Sequence, residues 1–288
     1  MFAIAGVTGN TGAAAASALL AAGEKVRVIV RRPDAGSLWR ERGAEVAVAG
    51  LDDARALADA LAGCHGAYWL NPPAYAAADA YATAAQRARA FRHALAAAAI
   101  DRAVVLSSVG AHRAAGTGII RTSHLVEEEL GDAATPLTFI RGRYFFENWA
   151  AVLGAVREHG VLPTFLAPID RRIEMVTTDD IGAQVAALLR GPGWPGRRAV
   201  ELSSFAASPA EVAAAFGTVL GRSVSPTPVP REQWAGILGS SGFTPPIVAA
   251  FVEMYDGIIG GVVVPEPGAA VAAGTTGLAS AARRLLAR

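Results

Sequence analysis

Cysteine is almost absent. Cys64 stands alone, which excludes a disulfide within the chain and points to a reducing, cytoplasmic setting. It lies in Leu61–Gly66, just before an apolar run, and reads as a small packed thiol. Charge is also scarce: 18% of residues are charged and the formal net charge is +1. The basic pairs Arg31-Arg32, Arg171-Arg172 and Arg197-Arg198 stand apart in the chain, so no patch for nucleic acid is expected. No uninterrupted apolar stretch reaches membrane-spanning length. The apolar N-terminus has no basic leader and is interrupted by glycine, unlike a signal peptide. The five histidines (His65, His93, His112, His124, His159) show no ligand spacing with one another or with Cys64, so no metal is expected. There is no Gly-x-Ser-x-Gly elbow, no defensible carboxylate pair and no internal repeat. These absences leave a small molecule as the expected partner of a monomer or homodimer.

What is present is 52% hydrophobic sequence over 288 residues, enough for one large domain or a domain with a smaller lobe. Short apolar runs alternate with helix-forming segments. Phe2–Gly6, Lys25–Val30, Ala44–Ala49, Gly66–Leu70, Ala103–Leu106 and Leu137–Arg141 read as strands. Ala13–Ala22, Asp53–Leu61, Ala74–Ala99 and His124–Leu130 read as helices. That rhythm implies right-handed βαβ crossovers and an α/β, doubly wound parallel Rossmann sheet. After about Asn148 the rhythm loosens. Strands are expected at Arg172–Val176 and Arg198–Leu202, and helices at Ser208–Leu220, Pro230–Leu238 and Pro245–Gly257. Ser223–Pro230, with three prolines, reads as an extended connector, and the tail from Pro265 as a loop ending in a short basic helix. The division expected is a nucleotide-binding domain over 1–150 and a smaller α/β substrate-side lobe over 151–288.

The first turn of this scheme carries chemistry. Gly6-Val7-Thr8-Gly9-Asn10-Thr11-Gly12 leads off the first strand into the first helix. A helix N-terminus leaves N–H groups unpaired and its dipole attracts anions, so the loop is read as a dinucleotide pyrophosphate site. Gly6 would make the tight turn, Gly9 clear space for phosphate, and Gly12 let helix and strand pack closely. Thr8, Asn10 and Thr11 can add side-chain hydrogen bonds. About twenty residues on, the second strand ends at Arg31-Arg32 where an acid would favour NAD. A guanidinium there grips a 2′-phosphate, so NADP(H) is the expected cofactor, with Arg31 the better candidate and Arg32 the more readily solvated. Asp34, beyond Pro33, lies too far along to bind the ribose.

These residues together resemble the NmrA-like group of atypical short-chain dehydrogenases. That group includes NADPH-dependent quinone reductases and azoreductase-like proteins, and also redox-sensing regulators that bind a dinucleotide without turning it over. Leu57–Gly63 with Ala67–Leu70, Leu106–Gly110, His124-Leu125-Val126-Glu127, Phe139–Asn148 and Thr177–Gly182 extend the resemblance over roughly residues 1–221. Two departures stand out. The Tyr-x-x-x-Lys pair of typical short-chain dehydrogenases, in which tyrosine gives the proton and lysine lowers its pKa, is missing after Ser108. Ser123 stands where quinone-reductase-like relatives have lysine. The relatives' Gly-Asp-Leu after the third strand reads Ala49-Gly50-Leu51, with Asp52 as the only substitute.

Hydride transfer to a conjugated acceptor needs little acid catalysis, so a reductase survives the loss of that tyrosine. Ligands bind beyond the carboxyl ends of parallel strands, which makes Leu70, Asn71, Pro72 and Ser107 further candidate cofactor contacts. The candidate catalytic residues are His124, Ser107 and Tyr144. Each also has a plain structural reading. Ser107 can cap a turn, His124 can pair with Glu127 or Glu128 at helical spacing, and Tyr144 can be core. Asp180 reads as the cap of a helix over Ile181–Leu189. Trp149, Trp194 and Trp234 read as packing residues, with Trp234 and Phe243 also able to line a cleft. The expected function is an NADPH-dependent oxidoreductase acting on a quinone-like or other conjugated carbonyl compound. A non-catalytic NADP(H) sensor and a non-redox lyase, cyclase or isomerase are the alternatives.

Overall fold

The computed structural model describes residues 1–288. Five βα repeats and a sixth strand form the first half: β1 (Phe2–Ala5), α1 (Asn10–Ala21), β2 (Val26–Val30), α2 (Ser37–Glu41), β3 (Glu45–Val48), α3 (Ala54–Leu61), β4 (Gly66–Trp69), α4 (Ala80–Ala98), β5 (Arg102–Ser108), α5 (Arg121–Glu129) and β6 (Leu137–Gly142). The remainder contributes β7 (Tyr144–Phe145), α6 (Leu153–His159), β8 (Val161–Thr164), β9 (Ile173–Val176), α7 (Thr178–Arg190), β10 (Arg197–Ser203), β11 (Phe205–Ala207), α8 (Pro209–Leu220), β12 (Ser225–Pro228), α9 (Arg231–Ser240), α10 (Pro245–Ile259), β13 (Ala270–Ala273) and α11 (Leu278–Leu286).

Eight strands form one sheet in the order β13-β10-β6-β5-β4-β1-β2-β3, and every pairing in it is parallel. The order reverses between β1 and β4, because β2 and β3 run outward from β1 on one side and β4, β5 and β6 on the other. That switch point opens the crevice where a doubly wound sheet takes its ligand. Side chains alternate between two buried layers, as a pleated strand requires. Ala3, Ala5, Ala67, Trp69, Val105 and Phe139 pack against α3, α4 and α5. Their neighbours Phe2, Ile4, Tyr68, Val104 and Ile140 pack on the side of α1 and α7. The alanines of α1 and α4 allow close helix packing: Ala15, Ala16, Ala84, Ala88 and Ala94 are fully buried.

A third core, with Phe146, Trp149, Met175, Val212 and Phe216, holds the lobe together. The lobe draws on a three-stranded sheet, β11-β9-β7, and on the parallel pair β12-β8. Residues beyond 150 also complete the main sheet through β10 and β13, and α7 packs directly on α1. There Gly182 lies so close to Ala14 that a Cβ would meet its carbonyl carbon at 2.5 Å.

The expected elements are found, with some shifts. The helix expected from Ala74 begins at Ala80, because the Asp79 carboxylate accepts from the N–H groups of Tyr81 and Ala82 and caps it there. Residues 74–79 instead form a loop. The proline-rich connector pairs through Ser225–Pro228 with β8, an edge position that tolerates proline.

Asp180 is not the helix cap. Thr177 caps α7 by accepting from the Asp180 N–H at 3.2 Å. The buried Asp180 carboxylate reaches the other way and accepts from Thr275 N (3.1 Å), Thr276 N (3.2 Å), Thr177 Oγ1 (3.0 Å) and the Ser204 hydroxyl. It thereby ties the tail beyond β13 to α7. Burial opposes its charge, but these donors outweigh burial and hold its pKa below the ordinary carboxylate value. A depressed folded pKa means that the stabilisation is present above the unfolded carboxylate pKa and is lost as pH falls through the folded one. Asp180→Asn should cost roughly 3 kcal/mol at neutral pH, since it weakens bonds to a charged acceptor. It should also flatten the acid limb of the stability curve, as measured by urea melts between pH 3 and 7.

Candidate functional site

The glycine loop spans the end of β1 and the start of α1. Gly6 has φ +72°, and a Cβ on it would stand 2.4 Å from Leu70 Cδ2. A Cβ on Gly12 would stand 2.4 Å from the carbonyl carbon and oxygen of Gly6. Both glycines are therefore demanded by the packing of the protein itself. Gly9 is different. Its added Cβ would meet nothing closer than the Gly6 oxygen at 3.5 Å, so the packing of the protein itself does not require glycine there.

The helix end is likewise left open. α3, α4, α7 and α8 are capped by side chains; α1, like α5, α6, α10 and α11, has no such cap and no acid in its first turn. Its first internal bond is Ala13 N to Gly9 O at 3.2 Å, which leaves the N–H groups of Asn10, Thr11 and Gly12 without a partner. Thr8, Gly9 and Asn10 are exposed and Thr11 half-buried. Behind Thr11, Tyr68 is buried, and burial pushes its hydroxyl well above the ordinary phenol value.

At the end of β2 the two arginines, both exposed, differ in their partners. Arg32 Nε lies 3.4 Å from Asp34 Oδ1, both exposed, while Arg31 makes no ion pair. Arg87, on α4, was not foreseen. It donates to Asn71 Oδ1 (3.1 Å) and Pro72 O (2.9 Å) and so fixes the turn after β4. Burial lowers its pKa, with Asp52 opposing and Arg31 adding to the effect, which puts Arg31, Asp52 and Arg87 around one rim. Nothing in an alanine-rich helix marks Arg87 beforehand, because its partners come from another element.

Ser107, His124 and Tyr144 end in three different surroundings. Ser107 is buried and donates to Glu127 Oε1 at 2.5 Å. Its proton is committed, so toward a ligand it can only accept; it caps no turn. Glu127 is in turn held by Arg141, Nε to Oε1 at 2.9 Å and Nη2 to Oε2 at 2.6 Å. Arg141 also donates to Glu266 and lies 3.8 Å from Glu201, while Arg143 lies 3.6 Å from the other Glu201 oxygen. Glu201 is fully buried, and desolvation raises its pKa. His112 borders this cluster, its Nδ1 buried and unpaired and its pKa lowered by burial and by Arg141. The network, assembled from α5, β6, β10 and the tail, was invisible in the sequence beyond its Glu127 and Arg141.

The helical pairing of His124 with Glu127 or Glu128 does not form. His124 Nδ1 lies 2.9 Å from the Ala111 carbonyl, and a carbonyl only accepts, so Nδ1 carries a proton and Nε2 is the nitrogen left for another partner. The chain's single lysine, Lys25, precedes β2 at the opposite end of the sheet, and cannot serve a site at the strands' carboxyl ends.

Tyr144 is half-buried on β7, just after β6, its ring centroid 6.2 Å from that of Trp149. Tyr255, on α10, was also missed. It packs between Phe165 (5.0 Å) and Trp234 (6.0 Å). Tyr75, on the loop after β4, meets Phe243 at 4.8 Å and Phe251 at 5.4 Å. Two aromatic clusters are thus formed, Tyr75 with Phe243 and Phe251 after β4, and Tyr255 with Phe165 and Trp234 in the lobe. Trp149, Trp194 and Trp234 are buried packing residues, and Trp234 also takes part in the lobe cluster. No group of three or more His, Cys, Asp or Glu side chains is placed to hold a metal ion, and no helix is long and apolar enough to cross a membrane.

Comparison with known proteins fits this geometry. The chain is 28% identical over 259 residues to a (4-alkanoyl-5-oxo-2,5-dihydrofuran-3-yl)methyl phosphate reductase of Streptomyces griseus, covering 88% of this chain and 85% of that protein. Its fold superposes on Citrobacter sp. triphenylmethane reductase complexed with NADP(H), with TM-score 0.81, 19% identity, and 99% of this chain and 100% of that one covered. It also superposes on the NADPH-dependent quinone oxidoreductase QOR2 of Escherichia coli complexed with NADPH, with TM-score 0.76, 23% identity and 99% of each chain covered. Residues 1–257 match the NmrA-like family, and the chain belongs to that family.

Proposed function

We propose that the protein is an NADPH-dependent oxidoreductase that reduces a quinone-like or other conjugated carbonyl compound. The observation that carries this reading is the uncapped N-terminus of α1 above an uncrowded Gly9. The three free N–H groups of Asn10, Thr11 and Gly12 suit a pyrophosphate, with Thr8, Asn10 and Thr11 side chains beside them. Gly6 and Gly12 hold that loop in place. Unpaired Arg31 suits the 2′-phosphate, with Arg32 at the edge. Leu70, Asn71 and Pro72, braced by Arg87, lie where the cofactor would run toward the ends of β4 and β5, and Ser107 can accept one bond there.

Bound NADPH supplies a hydride. The protein's part is orientation and exclusion of water. Two candidate groups for the acceptor side remain, Tyr144 and the Nε2 of His124. The reductases named above support the class of reaction, and the dihydrofuranone in one of their names is itself a conjugated carbonyl. The missing Tyr-x-x-x-Lys pair favours a second reading, a dinucleotide sensor without turnover.

Arg31→Ala should weaken NADPH binding by about 1.5–3 kcal/mol, roughly ten- to a hundredfold in Kd, and leave NADH binding nearly unchanged. Fluorescence titration of both nucleotides checks this, and equal losses would refute the 2′-phosphate assignment. Following NADPH absorbance over a panel of quinones and enones should reveal turnover. Tight NADPH binding with no turnover on any acceptor would favour the sensor.

A further inference from the structure

The turn after β4 carries an asparagine whose orientation is set by another element. Trp69, the last residue of β4, stacks on Phe91 of α4, with centroids 5.0 Å apart and planes 9° from parallel. Arg87 precedes Phe91 by about one helical turn, on the side nearer the strand's carboxyl end, and its guanidinium reaches the turn. A single nitrogen, Nη1, donates both to Asn71 Oδ1 (3.1 Å) and to Pro72 O (2.9 Å). The same turn touches the glycine loop. Leu70 Cδ2 stands 2.4 Å from where a Cβ on Gly6 would lie. β4 and β2 are the two neighbours of β1 in the sheet, so Asn71 and Arg31 flank the loop from opposite sides.

An asparagine amide can present either its carbonyl or its amino group to a neighbour, and arginine carries donors only. Arg87 therefore admits one orientation, with Oδ1 held and Nδ2 turned away from the guanidinium. Nδ2 makes no hydrogen bond within the protein, and it is not among the buried unpaired atoms, so it is open to solvent. Pro72 and Pro73 have no N–H to offer. The Asn71 amide is thus the main donor that this turn can turn toward a ligand.

Resting on the dinucleotide binding of the reductase reading, we infer that Arg87 is a positioning residue for the cofactor: it locks Asn71 so that Nδ2 donates to an oxygen of NADPH beside the glycine loop. Arg87 acts through Asn71 and does not itself touch the cofactor. Without the guanidinium the amide is free to present Oδ1 as well, which repels a phosphate or ribose oxygen. With it, the donor is set before the cofactor arrives, and binding does not have to order the side chain.

Variants of the full chain separate this role from packing, with the Kd for NADPH read by fluorescence and folding by thermal melts. Asn71→Ala removes the donor and Arg87→Met frees the amide, so each should weaken NADPH binding about tenfold. The double variant should bind no worse than Asn71→Ala, because Arg87 works through that residue. Additive losses would mean that Arg87 contacts the cofactor directly and would overturn the inference. Arg87→Lys should restore most of the affinity, since both native bonds leave from one nitrogen. Asn71→Asp is the most discriminating variant. It keeps an acceptor for Arg87, so its Tm should equal or exceed that of wild type, yet it has no N–H to give and should bind NADPH at least about tenfold more weakly. Wild-type affinity in Asn71→Asp would show that the pair only braces the turn, overturning the inference and leaving the reductase reading intact. A wild-type chain that binds no NADPH would overturn both.

Discussion

The approach of α1 to β1 is the contact on which the rest depends. Gly12 lies so close to Ala5 and Gly6 that no side chain fits between them, since a Cβ would come within 2.5 Å of both carbonyl oxygens. This brings the first turn of α1 directly over the end of its strand, at the point where the sheet order reverses. The three unpaired N–H groups then point into a crevice whose other rims are the ends of β2 and β4. On the far side α1 packs tightly on α7 through Ala14 and Gly182, so the lobe-bearing half of the chain is anchored to the same helix.

Polar groups, not apolar ones, lock the second half in register. Asp180 gathers two backbone N–H groups and two hydroxyls and fastens the tail. Glu147 accepts from the N–H and hydroxyl of Thr178 and joins the turn after β7 to α7. Arg141 bridges Glu127, Glu201 and Glu266 from three separate parts of the chain. A buried ionic cluster adds little net stability compared with an apolar core, but loss of one member strands the others. Its value here is positional: it fills the space beneath Ser107 and takes that hydroxyl out of the chemistry.

The aromatic clusters are built from side chains that meet only across elements. Tyr75 follows β4, and Phe165, Trp234 and Tyr255 belong to the lobe. No periodicity relates them, because each is local to a different element. The same holds for Arg87, which reads as one more arginine of a solvated helix until the turn at Asn71 folds onto it. Asp180 shows the opposite error. Local rules assign an acid near a helix start to the cap, but Thr177 takes that place and the carboxylate serves a segment ninety-five residues away.

The glycine spacing, the alternation of strand and helix, and Arg31 after the second strand are properties of neighbouring residues. They were legible in the sequence because backbone conformation, hydrophobic period and helix-end chemistry act over a few positions. From them followed the parallel sheet, the phosphate-type loop and the NmrA-like kinship. The acceptor side was decided only in three dimensions. Where the Ser107 hydroxyl points, which nitrogen of His124 is free, and which aromatic rings meet Tyr255 depend on Glu127, Ala111 and the lobe. Those contacts are long-range, and a hydrogen bond across the fold leaves no mark on the order of residues.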